Sequence, residues 1–134
     1  MSRPPIDLDD SAAVRAAVSD FPIRVRPGCI DLVMMIAGVD RLAGTLLLID
    51  DVPGDLAQHE RVQALARTWR QLRDERGDVA VAVTVCRDGH PDPTGEDLAW
   101  HDAIRATAAH AGVTCLGVYV ATYRGVSQVL PRAA

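Results

Sequence analysis

"DVAVAVTVC", residues 78–86, is apolar or small at nearly every position after its first aspartate, and its valines are β-branched. A run of this length without polar alternation predicts a strand covered on both faces rather than a half-exposed one. Everything on either side is then constrained to supply that cover.

Upstream, the pattern from Asp55 to about Arg76 changes to a helical period, with Leu56, His59, Val62, Leu65, Trp69 and Leu72 recurring every three or four residues. Asp55 or Gly54 is the expected cap and Gly77 the stop. This phase places His59 on the apolar face, where a half-buried ring donating to a backbone carbonyl is expected. Earlier still, "CIDLVMMIAGV" (residues 29–39) reads as a second strand covered on both faces, followed by the turn "DRLAG" and the strand "TLLLI". So short a connection forces an antiparallel pair. A short helix over "SAAVRAAVSD", capped by Asp9, Asp10 or Ser11, buries Val14 and Val18.

Downstream come the loop "RDGHPDPTG" and the helix "EDLAWHDAIRATAAHA", which runs to Gly112 with Thr94 or Gly95 as its cap. Its Ala103, Ala106 and Ala109 suggest close approach to a sheet. The strands "VTCLGVYVAT" and "GVSQVL" follow, joined by a tight turn at Tyr123, Arg124 and Gly125. The order is α-β-β-α-β-α-β-β, and residues 1–134 are expected to form a single layered α/β domain with a mixed sheet of about five strands. Residues 1–8 and 131–134 are expected to be flexible ends.

The 134 residues suffice for one core, and no window approaches the roughly 18 apolar residues a membrane helix requires. No signal-peptide pattern opens the chain. Cys29, Cys86 and Cys115 are odd in number and far apart, which fits reduced, buried thiols and a cytoplasmic location. Net charge is −4, with no lysine and no asparagine, a bias typical of high-GC genomes. Mild acidity without a basic cluster argues against nucleic-acid binding. Arg67, Arg70, Arg73 and Arg76 recur on one helix but are diluted by Asp74 and Glu75, so they read as a solvated face.

"LLLIDD" (residues 46–51) tests an acidic-site reading, since paired aspartates after a strand hold magnesium in phosphoacceptor receiver domains. The order of strands and the missing lysine exclude that reading. Asp50 and Asp51 are then polar residues where the chain leaves a strand. The densest chemistry lies in "CRDGHPDPTGED", residues 86–97, beyond the carboxyl end of the central strand, where ligands of open α/β sheets gather. Asp88, His90, Asp92, Glu96, Asp97 and, on the next helix, His101 form the candidate binding cluster. His101 and His110 lie on opposite sides of their helix and cannot share an ion. No zinc-ligand spacing, GxSxG serine or phosphate loop occurs. Cys86 beside His90 reads as a buried structural thiol. No catalytic residue and no metal ligand is therefore assigned.

Two resemblances follow from these residues. "VRAAVSDFPIRVRPGCIDLVMM", "LLLIDDVP", "VAVAVTVCRDG", "AIRATAAHAGV" and "VYVATYRGVSQVL" are similar, in order, to an actinobacterial family of domains of unknown function, from about Asp9 to Leu130. Ser127 and Gln128 stand where that family has an aromatic pair. The order of elements also resembles the JAMM metalloprotease and deaminase-like group, with "GHPDPTGED" in place of its "HNHPSG" loop. His90 and Asp97 match. Asp88 replaces the first histidine and the first-strand glutamate is absent, so that resemblance implies a shared fold or a degenerate zinc site in the loop 86–97. The leading expectation is a non-catalytic cytoplasmic module that binds a protein partner or itself, as a homodimer, with "GVSQVL" as its exposed edge. The alternative is a hydrolase with a reduced zinc site.

Overall fold

A computed structural model describes residues 4–21 and 25–130, which contain β1 (Ile6–Asp7), α1 (Ser11–Ser19), β2 (Cys29–Ala37), β3 (Leu42–Ala43), β4 (Thr45–Pro53), α2 (Gln58–Arg76), β5 (Ala80–Cys86), α3 (Gly95–Ala111), β6 (Thr114–Thr122) and β7 (Gly125–Gln128). Five strands form one mixed sheet in the order β4-β2-β5-β6-β7. β2 pairs antiparallel with both β4 and β5, whereas β5 and β6 run parallel, joined by the crossover through α3. The expected α/β class, mixed sheet and antiparallel first pair are therefore present.

β2 and β5 sit inside the sheet, and every β5 residue is buried. Their side chains divide between two cores. Leu32, Met34, Ile36, Val81, Val83 and Val85 face α2 and α3, together with Leu65, Trp69, Trp100 and Ile104. Val33, Met35, Ala37 and Ala82 face the other way, against Val14 and Val18 of α1 and Leu8. The two-face burial read from "VAVAVTV" thus has a physical source in two helical layers of unequal size.

The order α-β-β-α-β-α-β-β omits two short strands. β1 and β3 pair antiparallel, Ile6 with Ala43 and Asp7 with Leu42, and close a small second sheet over the α1 side. Leu8 is 2% exposed there, so the expectation of a flexible end does not hold for residues 6–8. Two-residue ladders carry no periodicity, which is why neither segment reads as a strand. Residues 1–3 and 131–134 lie outside the described residues.

The caps are where sequence chemistry and structure agree most closely. Asp10 caps α1 by accepting from the Ala12 and Ala13 N–H groups. Gly77, at φ 73°, ends α2, and Gly112, at φ 76°, ends α3. Arg73 joins these two ends, donating to Asp78 Oδ1 at 2.7 Å and to the Gly112 carbonyl at 3.4 Å. Arg67, Arg70 and Arg76 are exposed as expected.

Three expectations about helix faces are corrected. α2 starts at Gln58 after Ala57, without a side-chain cap, rather than at Asp55. Its buried stripe is Arg61, Leu65, Trp69 and Leu72, so His59 is 75% exposed on its side chain and not half-buried. In α3, Ala103 is buried, but Ala106 and Ala109 are exposed; Trp100, Ile104, Thr107 and Ala108 make the close approach instead. Alanine spacing alone does not fix helix phase, because the largest side chains decide which face turns inward.

Candidate functional site

The ends of β5, β2 and β4 meet the N-terminus of α3 at one edge of the domain, around an open cleft of about 460 Å³. Its walls include Gly28, Cys29 and Ile30 at the start of β2, Gly54 and Asp55 after β4, Arg87 and Asp88 after β5, and Thr94, Glu96, Asp97 and Trp100 of α3. Because β2 runs antiparallel to β5, its beginning lies beside the end of β5. Gly54 donates to the Gly28 carbonyl at 2.9 Å, and a Cβ on Gly54 would stand 3.3 Å from that oxygen. Glycine lets the two backbones close one wall.

Arg87 organises the loop. Its Nε and Nη2 grip Asp97 at 3.0 and 2.8 Å, while Nη1 donates to the Asp88 carbonyl and Nη2 to the Asp92 carbonyl. Asp97 in turn accepts from the Thr94 N–H at 2.8 Å, and its own N–H donates to Thr94 Oγ1 at 3.2 Å, a reciprocal capping box. The expected cap at Thr94 is therefore present. Asp97, expected as a binding residue, is committed to holding the loop on the helix.

Arg61 comes from α2 to meet α3. Its guanidinium carbon lies 4.9 Å from the centroid of the Trp100 ring, and its Nη2 donates to Glu96 and to the Gly54 carbonyl. The Arg61 side chain is 5% exposed, so its charge is buried on an aromatic face with one carboxylate partner. Arg61 Nε and Trp100 Nε1 are both buried and find no hydrogen-bond partner among the described residues. Unpaired buried donors are uncommon and mark a place where an acceptor is wanted.

The six candidate residues therefore separate. Asp88, Glu96 and Asp97 line the cleft. His90 does not: its side chain is 62% exposed and its Nδ1 lies 3.3 Å from both the Asp92 N–H nitrogen and Asp92 Oδ2. The loop turns His90 and Asp92 away because Pro91 is fastened to the far strand, where Ser127 Oγ donates to its carbonyl. His101 is buried on α3 between Asp102, 3.0 Å from its Nδ1, and Arg105, whose Nε donates to its Nε2. Both ring nitrogens of His101 are thus engaged by neighbours on its own helix. Convergence of His90, Asp97 and His101 is thereby excluded, and among the described residues no three His, Cys, Asp or Glu side chains stand where they could hold a metal ion.

The chain matches no family model, and neither curated proteins nor solved structures yield a similar protein. No helix is long and apolar enough to cross a membrane among the described residues.

The sequence pattern alone does not mark Arg61 or Trp100. The available signal was Arg61 itself, four residues before Leu65 on the stripe that continues to Trp69. Cys86, by contrast, behaves as expected: it is 3% exposed, and burial, with Asp31 nearby, pushes its thiol from 9.0 to about 12. Below pH 9 the folded and unfolded thiols are both neutral; between pH 9 and about 12 the unfolded state alone loses the proton, so this group's contribution to stability falls as pH rises. Cys86 is expected to stay unmodified by iodoacetamide at pH 8 in the native protein and to react after denaturation, as peptide mass mapping would show.

The two sheet edges differ. β7 is an edge strand as expected, but it is four residues long, half-buried throughout and crossed by the loop at Pro91. β4 is the longer edge, at nine residues. Its Leu47 and Ile49 pack on the core beneath α2 and α3. Leu46 and Leu48 lie opposite Met35 and Val33, on the α1 side, and are 52% and 59% exposed. α1 packs on β6 and β7 and stops short of them. At the bulge that follows, Asp51 adopts φ 55° and donates its N–H to Asp31 Oδ1. Asp50 and Asp51 thus lie within β4 rather than after its end.

Proposed function

We propose that this protein is a non-catalytic module of the cytoplasm that associates with a second copy of itself through β4. One observation carries the reading: the outermost strand of the sheet presents two half-exposed leucines beside an edge with no protein neighbour among the described residues. Natural sheets blunt such edges with charge, proline or bulges; β4 carries Asp50, Asp51, a bulge and Pro53 in its second half, whereas residues 45–49 carry none of these. The three free cysteines suit a reducing compartment.

The strand is suited to pairing with itself. A two-fold axis at Leu47 sets Leu46 against Leu48 of the second copy and Thr45 against Ile49, and joins two sheets into one. The charges at its ends are complementary, because Asp50 and Asp51 of one copy then approach the end of the strand that carries Arg41 in the other. Arg41 keeps 46% of its side chain exposed while bonding Asp9. Finishing the burial of four half-exposed leucines contributes about 4 kcal/mol. Edge hydrogen bonds add about 1 kcal/mol each, against an association cost of at least about 4 kcal/mol, which leaves a weak dimer of roughly 0.1 mM affinity.

Sedimentation velocity across a concentration series is the test. The native chain is expected to shift from monomer to dimer. Leu46→Lys with Leu48→Lys is expected to weaken association at least about 100-fold while leaving the circular dichroism of the monomer intact, since both side chains already face solvent. Gln128→Lys, at the opposite edge, is expected to leave the dimer unchanged. A monomer at every concentration, or a dimer broken by Gln128→Lys alone, overturns the reading.

A further inference from the structure

We infer that the groove between α2 and α3, on the outer face of the helical layer, binds an acidic amphipathic helix of a protein partner. The two helices run parallel: Arg61 meets Glu96 near their starts, Trp69 meets Thr107 midway, and Arg73 meets the Gly112 carbonyl at their ends. Between them lies an open groove of about 730 Å³ whose apolar lining is Val62, Ala66, Ala106 and Ala111. Val62 is 39% exposed there, and Ala106 is exposed as well. Side chains this small let a third helix come close to both backbones, and the groove follows α2 from Val62 to Asp74, about 18 Å or three turns. A strand does not suit it, because walls of helix side chains offer an extended backbone no hydrogen-bond partners.

The charge of the occupant follows from the arginines. In a chain of net charge −4, most arginines have carboxylate partners: Arg26 with Asp51, Arg41 with Asp9, Arg61 with Glu96, Arg73 with Asp78 and Arg87 with Asp97. Arg67, Arg70 and Arg76 take part in no ion pair among the described residues, and all three are exposed on α2. Arg70 lines the groove, and Arg67 lies one turn before it. Against them stands one lining carboxylate, Asp74; the neighbouring Glu75 accepts from Gln71, and His110 on the α3 side adds no negative charge. Acids on a docked helix supply the partners that Arg67 and Arg70 lack, while its apolar row completes the burial of Val62. The groove lies on the face of the sheet opposite Leu46 and Leu48, so it stays open in a β4 dimer and does not depend on that association.

Fluorescence anisotropy tests it with labelled synthetic peptides of about 15 residues, leucine at every third or fourth position and glutamate and alanine elsewhere, a length that matches the groove. The native chain is expected to bind this peptide saturably, one per chain, and its lysine-for-glutamate twin at least about tenfold more weakly. A twin with proline at its centre, which cannot stay helical, is expected to lose binding to a similar extent. Arg70→Glu is expected to weaken the glutamate peptide about tenfold, whereas Arg15→Glu, the same change of charge on an exposed position of α1, leaves it within about twofold. Ala106→Gln, which fills the floor without changing charge, is expected to weaken it about fivefold or more. All three positions are exposed, and circular dichroism checks that each variant is folded. Absence of saturable binding by the glutamate peptide, equal binding of the lysine or proline twin, or indifference to Arg70→Glu or Ala106→Gln overturns the inference. So does a chain carrying Leu46→Lys and Leu48→Lys that still dimerises until Arg70→Glu is added, because the groove would then belong to a second copy.

Discussion

Asp97→Ala is expected to destabilise the protein by about 3–4 kcal/mol, lowering its melting temperature by roughly 10 °C, as thermal denaturation would measure. The side chains of Arg87 and Asp97 are 14% and 2% exposed, so removing the carboxylate strands a buried guanidinium rather than loosening a surface pair. The Thr94 N–H loses its acceptor at the same stroke, and with it half of the capping box of α3. Asp97→Asn keeps a carbonyl oxygen for Thr94 but not the charge for Arg87, and is expected to fall between alanine and the native residue. The double change Arg87→Met with Asp97→Leu is expected to recover part of the loss, because no buried charge is then left unpaired. A cost below about 1 kcal/mol for Asp97→Ala would mean that the pair is solvated and does not organise the loop.

The same carboxylate shows how far the sequence could be read. "TGED" identifies a helix start, with Thr94 or Gly95 as the cap, and the structure adds that Thr94 and Asp97 close a reciprocal capping box. The sequence does not reveal that Arg87, ten residues earlier, closes on that acid from behind and so removes it from the candidate ligands. Local chemistry is legible because its partners are fixed by spacing. Non-local pairing depends on which strands become neighbours.

That distinction runs through the fold. The runs in β2 and β5 announce interior strands, because only two-sided cover explains an unbroken apolar stretch. β4 is ambiguous by the same test: "TLLLI" is as apolar as an interior strand, yet its alternate leucines remain half-exposed at the sheet edge. Nothing in the four consecutive apolar residues 46–49 says which neighbour is missing. The α2 stripe fails for a different reason. Arg61 is polar by composition, and a pattern search passes over it in favour of His59 and Val62; only the Trp100 ring and Glu96, both distant in sequence, make a buried arginine tolerable there.

Trp69→Ala is expected to cost about 4 kcal/mol, read as a lower urea midpoint, because it empties one of the two fully buried tryptophans on the contact between α2 and α3. The indole Nε1 also donates to Thr107 Oγ1 at 2.8 Å, and that hydroxyl donates onward to the Ala103 carbonyl at 2.6 Å. Trp69→Phe retains much of the volume but not the donor, and is expected to cost about 1–2 kcal/mol. Thr107→Val beside each tryptophan variant isolates the hydrogen bond, with a coupling of about 1 kcal/mol for the pair. The consequence extends to the cleft, since Trp69 and Arg61 lie two turns apart on one buried stripe and the first sets how α2 leans on α3. Trp69→Ala is therefore expected to disturb the stacking of Arg61 on Trp100 even at temperatures where the chain remains folded. Leu46 and Leu48 point to the other side of the sheet, away from both helices, so the edge at β4 is expected to survive the substitution unchanged. A variant that kept Arg61 on Trp100, judged from the Trp100 fluorescence that remains once Trp69 is gone, would place the ordering of the cleft in the β4–α2 turn instead.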